Sequence, residues 1–189
     1  MIHSPKFIAL LDACVLYPAP IRDLLLHLAS VGLYTPKWTY QIHEEWIRNL
    51  LLNRPDLSRE QLERVPNVMN NSFPDASVEG YEDLTGSIAL PDEGDRHVVA
   101  AAVRCHADVI ITANLKDFPS EYLRRFDMEA QHPDYFIANL IDLDPDKGLR
   151  AFRTQVSFLK NPPKSEAEVL GILKKVGLET TSAKLHRLI

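Results

Sequence analysis

Apolar residues along this chain fall into two rhythms. Phe7-Ile8-Ala9-Leu10-Leu11 is a short continuous apolar run that stops at Asp12. Such a run suits a strand covered on both faces, so it predicts the first strand of a parallel sheet. After Pro18 and Pro20, residues Ile21, Leu24, Leu25 and Leu28 fall at i, i+3, i+4 and i+7 and align on one helix face. Pro20 lies near that helix start, where a missing N–H costs nothing, and Gly32 marks the stop.

Leu33-Tyr34-Thr35 predicts a short strand, and Thr39 an N-cap for a helix carrying Ile42, Trp46, Leu50 and Leu51. Glu44 and Glu45 lie in its first turns. Ser58 and Gln61 match a capping box for the next helix, which Pro66 is expected to kink or divide. Ser72 to Gly86 shows no clear period and reads as largely irregular. An alanine-rich helix then follows Asp95, with Val99, Ala102 and Val103 on one face, and leads into the apolar run Val109-Ile110-Ile111.

Strands separated by helices in this order imply an α/β layered fold with a central parallel sheet. Past Asp127 the texture changes. His132-Pro133 opens a tail that reads as helices broken at Asp144-Pro145, Pro162-Pro163 and Gly177, with no strand-like run. The expected division is therefore 1–131 for the α/β domain and 132–189 for a helical extension, packed on it or used for partner contact.

The chain has 189 residues, 46% of them hydrophobic, enough for one full core plus an appendage. A net charge of -5 argues against a protein that coats nucleic acid with a basic surface, but not against an acidic metal-dependent enzyme acting on one. Cys14 and Cys105 form no CxxC pair and read as buried free thiols. No apolar run approaches the ~18 residues of a membrane helix and no signal peptide is evident, so a cytoplasmic address is expected.

In an open parallel sheet, ligand-binding groups collect beyond the carboxyl ends of the strands. Asp12 follows the first strand. Thr112, Asn114 and Asp117 follow the later one, so these residues can face one crevice. Glu45 and Asp95 can join them, because Asp95, Val99 and Ala102 at i, i+4 and i+7 put the carboxylate on a stripe with buried residues. Two carboxylates ~4 Å apart repel by about 4 kcal/mol at an effective dielectric near 20. A hard cation such as Mg²⁺ or Mn²⁺ reverses that sign, and can activate water against a phosphodiester.

Each residue also has a structural reading. Asp12 could end a strand in a turn, Asp95 could cap its helix, and Asp92 or Glu93 could share its role. Asp117 could cap a helix from Ser120, in competition with Pro119 and Ser120, and Asn114 could supply a left-handed turn conformation. Glu44 rivals Glu45. His43 and His97 read as packing or solvent-facing residues without a catalytic role. Lys37, Arg48, Arg96, Arg104 and Lys116 lie where they could steer phosphates. Trp46 reads as core, while Trp38 and Tyr40 could stack bases.

With these residues in place, the chain from about Lys6 to Asp127 resembles a PIN domain, the metal-dependent ribonuclease fold of VapC toxins. Leu11-Asp12-Ala13-Cys14-Val15-Leu16 is similar to the family's first element, with Cys14 where Asn or Thr is commoner. Thr39-Tyr40-Gln41-Ile42-His43-Glu44-Glu45-Trp46 resembles its second, Asp95-Arg96-His97-Val98-Val99-Ala100-Ala101-Ala102 its third, and Thr112-Ala113-Asn114-Leu115-Lys116-Asp117-Phe118 its fourth.

The resemblance implies a three-layer α/β/α fold and an acidic quartet of Asp12, Glu45, Asp95 and Asp117 holding Mg²⁺ or Mn²⁺. Thr112 and Asn114 would orient ligands or the attacking water. It also implies endoribonuclease activity on RNA, leaving 5′-phosphate and 3′-hydroxyl ends, as the toxin of a type II toxin–antitoxin pair. The partners implied are RNA, a cognate antitoxin and a second copy of the chain, with no membrane. Two other readings stand beside it. One is a PIN-fold RNA-binding or scaffold protein that does not cleave, which the full carboxylate set argues against. The other is a phosphotransferase with Asp12 as nucleophile, which would want an aspartate where Cys14 stands.

Overall fold

A computed structural model describes residues 7–189; the start of the resemblance at Lys6 lies outside the described residues. In chain order the elements are β1 (Ile8–Leu11), α1 (Ala13–Leu16), α2 (Ala19–Ser30), β2 (Thr35–Lys37), α3 (Tyr40–Asn53), α4 (Arg59–Ser72), α5 (Glu82–Thr85) and α6 (Arg96–Arg104). They continue with β3 (Val109–Ile111), α7 (Ser120–Leu123), β4 (Glu129–Gln131), α8 (Pro133–Leu143), α9 (Pro145–Phe158), α10 (Glu166–Lys175) and α11 (Glu179–Leu188). Two units emerge, one from Phe7–Tyr17 and Thr35–Gln131, the other from Pro18–Tyr34 and His132–Ile189. The segment Pro18–Tyr34 groups with the helical unit and not with the α/β one.

The first unit is α/β. Its sheet has the order β2-β1-β3-β4, and every neighbouring pair is parallel. Leu10, Leu11, Ile110 and Ile111 on the two central strands are fully buried, as continuous apolar runs in a parallel sheet should be. Leu11 pairs with Ile111, so the register brings the next residues, Asp12 and Thr112, side by side at the carboxyl ends. The helix α6 contacts both strands; its stretch Val98–Ala102 is fully buried, the small alanines allowing close approach.

Both edge strands depart from the expectation. The second strand is Thr35–Lys37 and not Leu33–Thr35, and it carries Pro36, which an edge tolerates because one N–H needs no partner. The fourth strand, Glu129-Ala130-Gln131, has no counterpart in the sequence reading and lies just before the tail that opens at His132. A polar edge strand has no apolar run to betray it, and polarity protects an edge from pairing with other chains. Pro66 lies inside α4 without dividing it, since a Ser58–Gln61 capping box and buried Leu62 and Met69 anchor both halves.

Thr39 caps α3, its Oγ1 accepting from Ile42 N at 3.0 Å. Both tryptophans are core: Trp38 Nε1 donates to Asn70 Oδ1 (2.8 Å) and Trp46 Nε1 to His43 Nδ1 (3.0 Å). Stacking of a base on Trp38 is thereby ruled out, while Tyr40 is exposed.

The second unit is helical, formed by α2 with α8, α9, α10 and α11. The predicted stripe Ile21, Leu24, Leu25 and Leu28 is buried. Gln155 Nε2 donates to Pro20 O at 2.9 Å, tying α9 to the start of α2. The helix α11 has no side-chain cap of its own. Instead the buried carboxylate of Asp134 on α8 accepts from Thr180 N (2.9 Å) and Thr181 N (2.8 Å), satisfying two of the orphan donors of that helix. These bonds outweigh burial and hold the Asp134 carboxyl below its ordinary range. Among the described residues no helix is long and apolar enough to cross a membrane.

Candidate active site

Asp12 continues the ladder of β1, its N–H donating to Ile111 O at 3.1 Å. Its carboxylate is buried and held by three donors: Ala13 N to Oδ1 (2.7 Å), and Thr112 Oγ1 (2.8 Å) and Cys14 Sγ (3.0 Å) to Oδ2. Thr112 in turn accepts from Asn114 N (3.0 Å), and Cys14 Sγ accepts from Ala113 N (3.2 Å). A thiol stands in the donor position toward Asp12, and burial, followed by the Asp12 charge, pushes it up to about 12. Cys14 therefore stays a neutral donor across the physiological range.

Asn114 has φ of −105° and not a left-handed conformation. Its Nδ2 donates to Asp117 Oδ2, which fixes that carboxylate at the end of a short 3-10 turn, Leu115–Asp117. Asp117 does not cap α7; Pro119 occupies that position.

Asp95 ends a second 3-10 turn, Glu93–Asp95, and stands at the N-cap position of α6 without any side-chain capping bond. The carboxylate is thus not spent on the helix. The turn is capped by Asp92, whose Oδ1 accepts from Gly94 N at 2.8 Å. Burial first, then the charges of Asp12, Asp92, Asp117 and Glu45, push the Asp95 carboxyl up to about 6.

Glu45 and Glu44 part company on α3. Glu44 is bound by Arg59 Nη1, 3.1 Å from both oxygens, which holds its carboxyl below the ordinary range. Glu45 lies 2.8 Å from Nε2 of the buried His97, and it faces the cleft.

That cleft, about 460 Å³, is lined by Asp12, Glu45, Asp95 and Asn114, and no lysine or arginine among the described residues lines it. Asp92, Asp95 and Asp117 each offer an oxygen within 4.8 Å of the others. Thr112, fully buried, lies behind Asp12. All six residues singled out in the sequence thus converge on one place. Four more lie beside them: Asp92, foreseen only as a stand-in for Asp95, and Tyr17, Asn49 and Asn53 along the cleft lining. The recurrence of Glu45, Asn49 and Asn53 every four residues was the available signal for the last two.

Comparison with known proteins adds sequence relationships to this geometry. Residues 133–187 match the family described as the VapC50 C-terminal domain. A protein of Mycobacterium tuberculosis (strain ATCC 25618 / H37Rv) named "Putative ribonuclease VapC50" is 36% identical over 103 residues, covering 54% of this chain and 60% of that relative. The chain thus spans less than two thirds of that relative's length. No solved structure gives a significant match. The C-terminal family match and the mycobacterial relative make the chain similar to VapC50-like proteins, and its parallel α/β sheet is consistent with a PIN-like fold.

Proposed function

We propose that the chain is a divalent-metal-dependent endoribonuclease and the toxin half of a type II toxin–antitoxin pair, acting in the cytoplasm. One observation carries the enzymatic part: Asp12, Glu45, Asp95 and Asp117 converge with Asp92 in a cleft that no lysine or arginine among the described residues lines, and burial together with the neighbouring carboxylates pushes Asp95 up to about 6. A site of hard oxygen donors whose mutual repulsion a cation would relieve fits Mg²⁺ or Mn²⁺. Asp12, Glu45, Asp95 and Asp117, with Asp92, are the residues that would hold it. A cation held there would supply Lewis-acid polarisation of phosphate oxygens and activation of water near neutral pH.

The chain's own contribution is to fix those oxygens beforehand. Thr112 and Cys14 lock Asp12 Oδ2, Asn114 restrains Asp117, and His97 backs Glu45. Such supporting contacts orient ligands and keep the site from collapsing into unproductive pairings. The toxin role is supported by the VapC-like sequence relationships. The helical unit would then offer surface to an antitoxin or a second copy.

The test is cleavage of single-stranded RNA with Mn²⁺ or Mg²⁺, with and without EDTA, by the intact chain, Asp12→Asn and Asp95→Asn. Cleavage by the intact chain alone, abolished by EDTA, is expected. Equal cleavage by all three contradicts the mechanism, and no cleavage by any favours the non-cleaving RNA-binding reading.

A further inference from the structure

The cleft has a second wall whose chemistry differs from the carboxylates. Glu45, Asn49 and Asn53 follow one another at i, i+4 and i+8 along α3, which places them in one row on the helix surface. At ~1.5 Å per residue, Asn49 and Asn53 stand about 6 Å and about 12 Å along the axis from Glu45. Both line the cleft, as does Tyr17 just past α1. Asn53 Nδ2 donates to Tyr17 Oη at 3.0 Å, which sets the direction of that carboxamide. Asn49 is exposed and open to a ligand.

This wall is neutral where a phosphate-gripping surface would be basic. Lysine or arginine here would bind phosphates without reading sequence, and would pair with the nearby carboxylates. A carboxamide instead carries a donor and an acceptor side by side, the complement of a base edge, and unpaired bases are read in this way.

We propose that Asn49 and Asn53, the latter oriented by Tyr17, read the edge of an unpaired RNA base flanking the scissile phosphate and set the sequence preference of cleavage. The identity of the ligand as single-stranded RNA rests on the ribonuclease reading above. Tyr17 is a positioning residue, since it acts through Asn53.

The experiment compares the 189-residue chain with its Asn49→Ala/Asn53→Ala variant on a randomised single-stranded RNA pool in Mn²⁺, with cut sites read by sequencing. The intact chain should favour one base at one position beside the cut by about tenfold or more. The variant should still cut while that preference flattens to within about twofold. A variant that keeps the preference, or an intact chain that shows none, overturns the proposal.

If the intact chain does not cut at all, the ribonuclease reading fails separately. Fluorescence anisotropy with labelled A, C and U homo-oligomers then decides: discrimination by the intact chain that the variant loses supports the wall, and equal binding of all three overturns it. Coincident thermal melts of the two proteins exclude misfolding as the cause.

Discussion

Thr112 Oγ1 donates to Asp12 Oδ2 at 2.8 Å, joining the carboxyl ends of the two central strands through side chains as β1 and β3 join them through the ladder. The hydroxyl also accepts from Asn114 N, so one buried atom ties Asp12 to the loop that carries Asp117. Thr112→Val keeps the shape and removes both bonds. We expect the rate of RNA cleavage to fall roughly 10–100-fold, with Thr112→Ser close to the intact chain. A Thr112→Val variant as active as the intact chain would show that Asp12 needs no such support.

Asp95 links the cleft to stability. Its carboxyl keeps a proton up to about pH 6 in the folded chain, against an ordinary value of 3.8. Between those values the folded state binds more protons than the unfolded, so its stability falls as pH rises through the window. In metal-free protein Asp95→Asn should therefore melt above the intact chain at about pH 7.5, with the gap closing toward about pH 4. Mn²⁺ should raise the melting temperature of the intact chain more than that of the variant. A gap that does not change with pH would place the cause elsewhere.

The helical unit depends on close approach at Gly148. A Cβ there would lie 2.9 Å from Ile141 Cγ1 and 3.3 Å from Ile141 Cα, so backbone as well as side chain would have to move. Gly148→Ala gains about 1 kcal/mol of helix propensity, but overpacking costs about 1–3 kcal/mol. Net destabilisation is expected in urea unfolding, and a more stable variant would mean that α8 and α9 separate easily.

Much of the site can be read in the sequence because strand ends announce themselves. Asp12 and Thr112 follow apolar runs directly, and the register makes them neighbours. Asp95 shares a stripe with alanines, and Thr39 announces its helix by capping it. Other features leave no such trace. The strand Glu129–Gln131 is an edge with Ala130 as its single apolar residue, so periodicity is silent there. The stripe on α2 shows that a face is buried without naming what covers it, and only the fold groups α2 with the C-terminal helices. The choice between Glu44 and Glu45 as the residue facing the cleft turns on Arg59, fifteen residues from Glu44, which no local pattern reports.

The nature of the RNA ends tests most directly whether this carboxylate site hydrolyses RNA with water. RNA cut in Mn²⁺ should carry 5′-phosphate and 3′-hydroxyl ends, because water attacks and the 3′ oxygen leaves. Fragments ending in a 2′,3′-cyclic phosphate would mean that the neighbouring ribose hydroxyl attacked instead, and would contradict a hydrolytic site built from Asp12, Glu45, Asp95 and Asp117.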